Sequence, residues 1–142
     1  MDVVKRDPRG QGDQGEVSAI LWFAERGAVF LPLTHCRDFD LIAYWGEGLA
    51  RVQVKTSNCY RNGRWDVTVC TRGGNRSWNG LVKHLDPSRY DYLFVLVGDG
   101  RRWLIPAAEV QATCGVRLGG PKYAKYEIDA GQPLRVGPPS LD

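Results

Sequence analysis

The feature that most constrains this chain is Tyr92-Leu93-Phe94-Val95-Leu96-Val97, an unbroken apolar run of strand length. A strand without polar alternation is buried on both faces, so it belongs in the middle of a sheet with protein layered on each side. Asp99-Gly100 turns the chain, and Arg102–Ile105 returns as a neighbouring strand that Pro106 ends. Upstream, Val17, Ile20, Leu21 and Ala24 recur at helical spacing, which predicts a helix over Gln14–Arg26 with one apolar stripe, closed by Gly27 at its C′ position. Ala28–Leu31, Asp40–Tyr44 and Leu49–Thr56 read as strands, with Gly46-Glu47-Gly48 as the turn between the last two. Asn62-Gly63, between Tyr60 and Trp65–Cys70, is a tight hairpin signal because both residues tolerate positive φ. Residues 71–81 lack periodicity and read as a surface loop. Beyond Pro106, a short helix over Ala107–Ala112 and a strand over Tyr123–Ile128 are expected. The order of elements points to a single α/β domain, a mixed sheet flanked by helices.

Bulk properties agree with one domain. A chain of 142 residues, 43% hydrophobic and 25% charged, can bury a core without metal or disulfide staples. Residues 1–13 are polar, carry Pro8, Gly10 and Gly12, and read as a flexible arm without a signal-peptide core. No apolar run is long enough for a membrane span. The reading is a cytoplasmic, non-secreted chain. Cys36, Cys59, Cys70 and Cys114 show no C-x2-C pair, and His35 and His84 are the only histidines, so zinc and disulfides are not expected. Charge is unevenly placed. Between Arg51 and Arg89 there are eight basic residues against two acids, a net +6, while acids gather in Asp7–Glu25 and Asp38–Glu47. A basic middle beside an acidic patch suits a polyanion next to a bound cation.

The chemistry-bearing pattern lies in Gln53-Val54-Lys55. On a strand, Gln53 and Lys55 share a face, roughly 7 Å apart from the rise per residue. Asp40 opens the preceding strand, so a carboxylate, the Gln53 amide oxygen, the Val54 main-chain carbonyl and the Lys55 ammonium meet at one sheet edge. Glu16 adds a second carboxylate if the first helix packs across the sheet. Asp38 competes with Asp40 as the ligand, and an alternating polar face is by itself also what a solvated strand shows. Hard oxygens of this kind suit Mg2+ (or Mn2+), which lowers the pKa of bound water and screens a phosphate, while a lysine offsets developing charge.

Several segments in series carry a resemblance. Gly15-Glu16-Val17-x-Ala19, Gly27-x-Val29-x-x-Pro32, Asp40-Leu41-Ile42 and Val52-Gln53-Val54-Lys55-Thr56 resemble the core of the PD-(D/E)XK nuclease superfamily. Tyr90–Val95, Trp103–Pro106 and Lys122-Tyr123-x-x-Tyr126 are similar to the second half of its group I intron homing endonuclease branch. The likeness to archaeal Holliday junction resolvases is more distant. The resemblance implies a restriction-endonuclease-like α-β-β-β-α-β core over residues 14–130, with 131–142 as a Gly/Pro-containing tail. It also implies a Mg2+-dependent DNA endonuclease whose catalytic set is Glu16, Asp40, Gln53 and Lys55, with the metal held by Asp40, Gln53, Val54 and Glu16. Gln53 stands where most members carry an acid, which removes one negative charge; the intron-encoded branch shares it.

Arg61, Arg64, Arg72, Arg76, Trp78 and Lys83 are the candidate contacts to double-stranded or branched DNA: cations for phosphate and guanine, and a Trp to stack or wedge. Two strands to cut imply a homodimer or higher oligomer. The alternative is a nuclease-fold module that binds DNA without cutting it.

Overall fold

The structure is a computed structural model that describes residues 8–72, 82–112 and 114–136. One α-helix, α1 (Pro8–Ala24), precedes strands β1 (Ala28–Phe30), β2 (Leu41–Trp45), β3 (Gly48–Ser57), β4 (Tyr60–Arg61), β5 (Arg64–Thr68), β6 (Thr71–Arg72), β7 (Val82–Lys83), β8 (Tyr92–Val97), β9 (Arg102–Pro106), β10 (Gly115–Leu118) and β11 (Glu127–Ile128). A six-stranded sheet has the order β1-β2-β3-β8-β9-β11; β10-β5-β4 form a smaller sheet, and β6-β7 a short ladder. Only the β3–β8 pair of the large sheet is parallel.

The apolar run at Tyr92–Val97 is β8, and it is buried on both faces as expected. Phe94 joins Ala19, Trp22, Phe23, Val52 and Val54 on the helix side. Leu93, Val95 and Val97 join Trp65, Val67, Val116 and Leu118 on the other. The second layer is therefore the small sheet. Among the described residues α1 is the sole α-helix, so the expected flanking helices and the second helix of the α-β-β-β-α-β series are corrected here. The apolar alternation of Trp65/Val67 and Val116/Leu118 covers the face that a second helix would have covered. Where a helix was expected over Ala107–Ala112 there is a 3-10 turn, Ala107–Glu109, because Val110 is already extended.

Three local expectations also change. Residues 8–13 belong to α1 rather than to an arm, and residues 1–7 of the expected arm lie outside the described residues. Its buried face is Gly15, Ala19, Trp22 and Phe23. Val17 and Leu21, expected in the stripe, are 54% and 57% exposed. The helix is apolar on several sides, and Gly15 selects the face: a Cβ there would overlap Thr56 Cγ2, so glycine allows α1 to lie close on β3. Gly27 likewise serves close approach, since a Cβ would overlap the Tyr44 carbonyl. Finally, Tyr123–Ile128 is a 3-10 turn at Ala124–Tyr126 followed by the two-residue β11, and β10 lies in a stretch where no strand was expected.

The turn chemistry follows the sequence. Asn62 and Gly63 both have positive φ, 52° and 75°, and join β4 to β5. Trp103 is wholly buried, and Trp22 and Trp65 nearly so, in keeping with a core role. No helix among the described residues is long and apolar enough to cross a membrane.

Candidate active site

The site grows out of the end of the β2–β3 ladder. Leu41 pairs with Val52, and both point into the helix-side core. One residue earlier the strand alternation reverses, so Asp40 belongs with Gln53 and Lys55. The Asp40 N–H donates to the Val52 carbonyl at 2.8 Å. The Val54 N–H, which has no further β2 residue to pair with, donates to Asp40 Oδ2 at 2.7 Å. A carboxylate thus completes the ladder, and backbone alternation turns the Val54 carbonyl toward the same edge. Gln53 is 7% exposed, and its Oε1 is buried without a hydrogen-bond partner.

Electrostatics tie the residues together. Burial pushes Asp40 up, against the Val54 N–H, Lys55 and His35, which hold it down. Burial pushes Lys55 down, opposed by Asp40 and Cys70. Glu16 is an exposed residue of α1. Its carboxyl is nevertheless raised, first by loss of water and then by the carboxylates of Asp40 and Asp13. The Gly15 contact with β3 brings Glu16 to this place, and Gln11 Nε2 donates to Thr56 Oγ1 at 3.1 Å beside it. Register, the Asp40–Val54 hydrogen bond and these couplings therefore bring Glu16, Asp40, Gln53, Val54 and Lys55 together at the end of the β2–β3 ladder. Asp38, the competing acid, faces Arg89 instead, at 3.9 Å.

Two carboxyl groups, an orphaned amide oxygen and a main-chain carbonyl are hard oxygen donors of the kind that Mg2+ or Mn2+ takes. An unpartnered buried acceptor costs about 1–3 kcal/mol, which a cation would relieve. Among the described residues no group of three or more His, Cys, Asp or Glu side chains is placed to hold a metal ion, so a site here would draw on amide and main-chain oxygens as well.

A family model described as PD-(D/E)XK endonuclease matches residues 6–129. The chain belongs to this family. No curated protein matches the sequence. Among solved structures, a bacterial homing endonuclease, I-Ssp6803I, is similar with a TM-score of 0.72 over 84% of this chain and 87% of that one. Its identity of 21% makes this a likeness of fold.

The expected DNA contacts fare differently. Arg61 and Arg64 lie on the small sheet, outside the crevice. Arg61 is exposed and bonded to Asp66 Oδ2 through Nη2 at 2.7 Å and Nε at 2.9 Å. Arg64 lies along Gly120, where a Cβ would overlap its guanidinium. Arg76, Trp78 and the side chains of Arg72 and Lys83 lie outside the described residues. Sequence reasoning missed His35 and Cys70, both felt electrostatically at the crevice. Neither carries a local signal, because loop 31–39 and the end of β5 reach the site only through the fold. It also missed the partnership of Asp66 with Arg117, which are 51 residues apart.

Proposed function

We propose that this chain is a divalent-metal-dependent DNA endonuclease, with the crevice of Glu16, Asp40, Gln53, Val54 and Lys55 as its active site. The observation that carries this reading is the buried, unpartnered Gln53 Oε1 on the strand that is hydrogen-bonded to Asp40. Asp40, Gln53 Oε1 and the Val54 carbonyl would hold Mg2+ (or Mn2+), with Glu16 completing its shell directly or through water. When bound, the ion supplies charge to screen the phosphodiester and to acidify a water. The chain's own residues do the rest. The Val54 N–H fixes the orientation of the Asp40 carboxylate. Lys55, held in a part-buried site that disfavours its charge, orients the attacking water and offsets negative charge growing on the phosphate. Partial burial of Asp40 and Lys55 strengthens these interactions relative to water.

The substrate is double-stranded or branched DNA, and the enzyme works as a homodimer or larger assembly. Phe30, Tyr44 and Leu49, each more than half exposed, share by register the sheet face opposite α1 and support such an association. A second reading, a DNA-binding module without cleavage, is favoured by one observation. Gln53 is neutral where an acid would bind metal more tightly.

The test is incubation with supercoiled plasmid and with a panel of linear, flap and four-way-junction DNA in Mg2+. Cutting by the wild type and none by Asp40→Ala or Lys55→Ala supports the active site. Undiminished cutting by both variants would remove the site assignment. DNA binding without any cutting in Mg2+ or Mn2+ would favour the second reading.

A further inference from the structure

The small sheet turns Trp65, Val67, Val116 and Leu118 inward, so its outer face carries the alternate residues of β5 and β10. There Asp66 faces Arg117, and Thr68 faces Gly115. Asp66 accepts from two arginines at once: Arg117 Nε at 3.1 Å on Oδ1, and Arg61 Nε and Nη2 on Oδ2. Arg117 Nη2 also donates to the Arg61 carbonyl at 3.3 Å. The group lines an open trough of about 500 Å3, with Gly115 also in its lining.

Two features separate this cluster from an ordinary surface ion pair. Stability is not its purpose, because side chains 71% and 55% exposed at Arg61 and Arg117 gain little from pairing in water. Simple phosphate attraction is not either, since a central carboxylate cancels part of the charge such contacts need. What Asp66 does supply is orientation. Each guanidinium has five N–H donors in a fixed fork, more than the cluster consumes. Holding both forks in place lowers the entropy lost when they meet a planar acceptor pair. A small β-sheet face is also a shape that enters a duplex major groove, where guanine offers O6 and N7 to an arginine.

We propose that the outer face of β10-β5-β4 is a sequence-reading surface for duplex DNA, in which Asp66 presets Arg61 and Arg117 to recognise guanine. The inference rests on the DNA endonuclease reading above and adds a specificity element apart from the crevice. Arg117 and Arg61 touch the bases, and Asp66 is a positioning residue.

The experiment is selection of a randomised duplex library by the full chain in EDTA, with sequencing of the bound fraction. Wild type, Arg117→Lys and Asp66→Asn are compared, and thermal melts confirm that each is folded. The expected wild-type motif contains a G·C requirement. Arg117→Lys keeps the charge but not the fork, so guanine preference falls about tenfold or more while bulk duplex affinity holds. Asp66→Asn is expected to bind bulk duplex more tightly and less selectively. A wild-type motif without guanine, or an unchanged motif in Arg117→Lys, would overturn the inference and leave the nuclease reading intact. No duplex binding and no cleavage by the wild type would instead sink the nuclease reading itself. Should Asp66→Asn fail to fold, Arg117→Lys alone decides.

Discussion

Two charged clusters stand on strands that pack against each other, and they are built in opposite ways. The site of Asp40 and Lys55 at the β2–β3 edge is part-buried, and burial is the largest influence on both groups, pushing each toward its neutral form. The cluster of Asp66, Arg61 and Arg117 on β4-β5-β10 is open to water, and its hydrogen bonds hold Asp66 down and Arg61 up, toward their charged forms. One retains an orphaned acceptor at Gln53, whereas in the other both carboxylate oxygens are bonded. A site whose charges are disfavoured awaits an incoming charge. A site whose charges are satisfied can only present them. The first geometry suits chemistry on a bound cation, and the second suits recognition.

This contrast can be broken in several places. Replacing Asp40 or Lys55 by Ala is expected to reduce DNA cleavage by about a hundredfold or more, while circular dichroism stays unchanged. Undiminished plasmid nicking would erase the distinction between the clusters. Gly15→Ala forces α1 off Thr56 and should cost about 1–3 kcal/mol in urea unfolding, with a matching loss of activity as Glu16 moves away. Gln53→Glu restores a charge to the crevice, so the Mg2+ concentration for half-maximal cleavage should fall about tenfold; an unchanged midpoint would place the ion elsewhere.

The pH dependence separates the clusters by sign. Glu16 and Asp40 bind protons more firmly in the folded chain than in the unfolded one. Metal-free stability should therefore fall as pH rises from about 4, the ordinary carboxylate range, toward their raised values. Glu16→Gln with Asp40→Asn should flatten that slope. Asp66 is shifted the other way, so its contribution is present above the ordinary range and lost as pH falls. Melting temperatures across this range that respond identically to Glu16→Gln with Asp40→Asn and to Asp66→Asn would contradict the contrast. The smallest effect is expected for Arg61→Ala, whose melting temperature at neutral pH should fall only slightly because the pair is exposed.

Much of the crevice was legible in the sequence because its parts are local. Gln53, Val54 and Lys55 are consecutive on one strand, and a short turn through Gly46 folds Asp40 back beside them. The ordered segments from Gly15 to Tyr126 resemble the family that the chain matches over residues 6–129. The second layer was not legible. Residues 64–68 and 115–118 each alternate over a few residues, and their pairing spans 51 positions, as at Asp66 and Arg117. The helix face was misread for a related reason. Val17 and Leu21 fit helical spacing as well as Ala19, Trp22 and Phe23 do, and only the close approach at Gly15 chooses between them.

The most direct test follows the amide signals of the metal-free protein by NMR while substoichiometric Mn2+ is added. Paramagnetic broadening reports where the ion spends its time even when binding is weak. The expected result is early loss of the signals of Asp40, Gln53, Val54 and Lys55, with Asp66 and Arg117 unaffected, and no such loss in Asp40→Asn. Broadening centred on any other part of the chain, or an unchanged pattern in Asp40→Asn, would contradict a metal site at the β2–β3 edge.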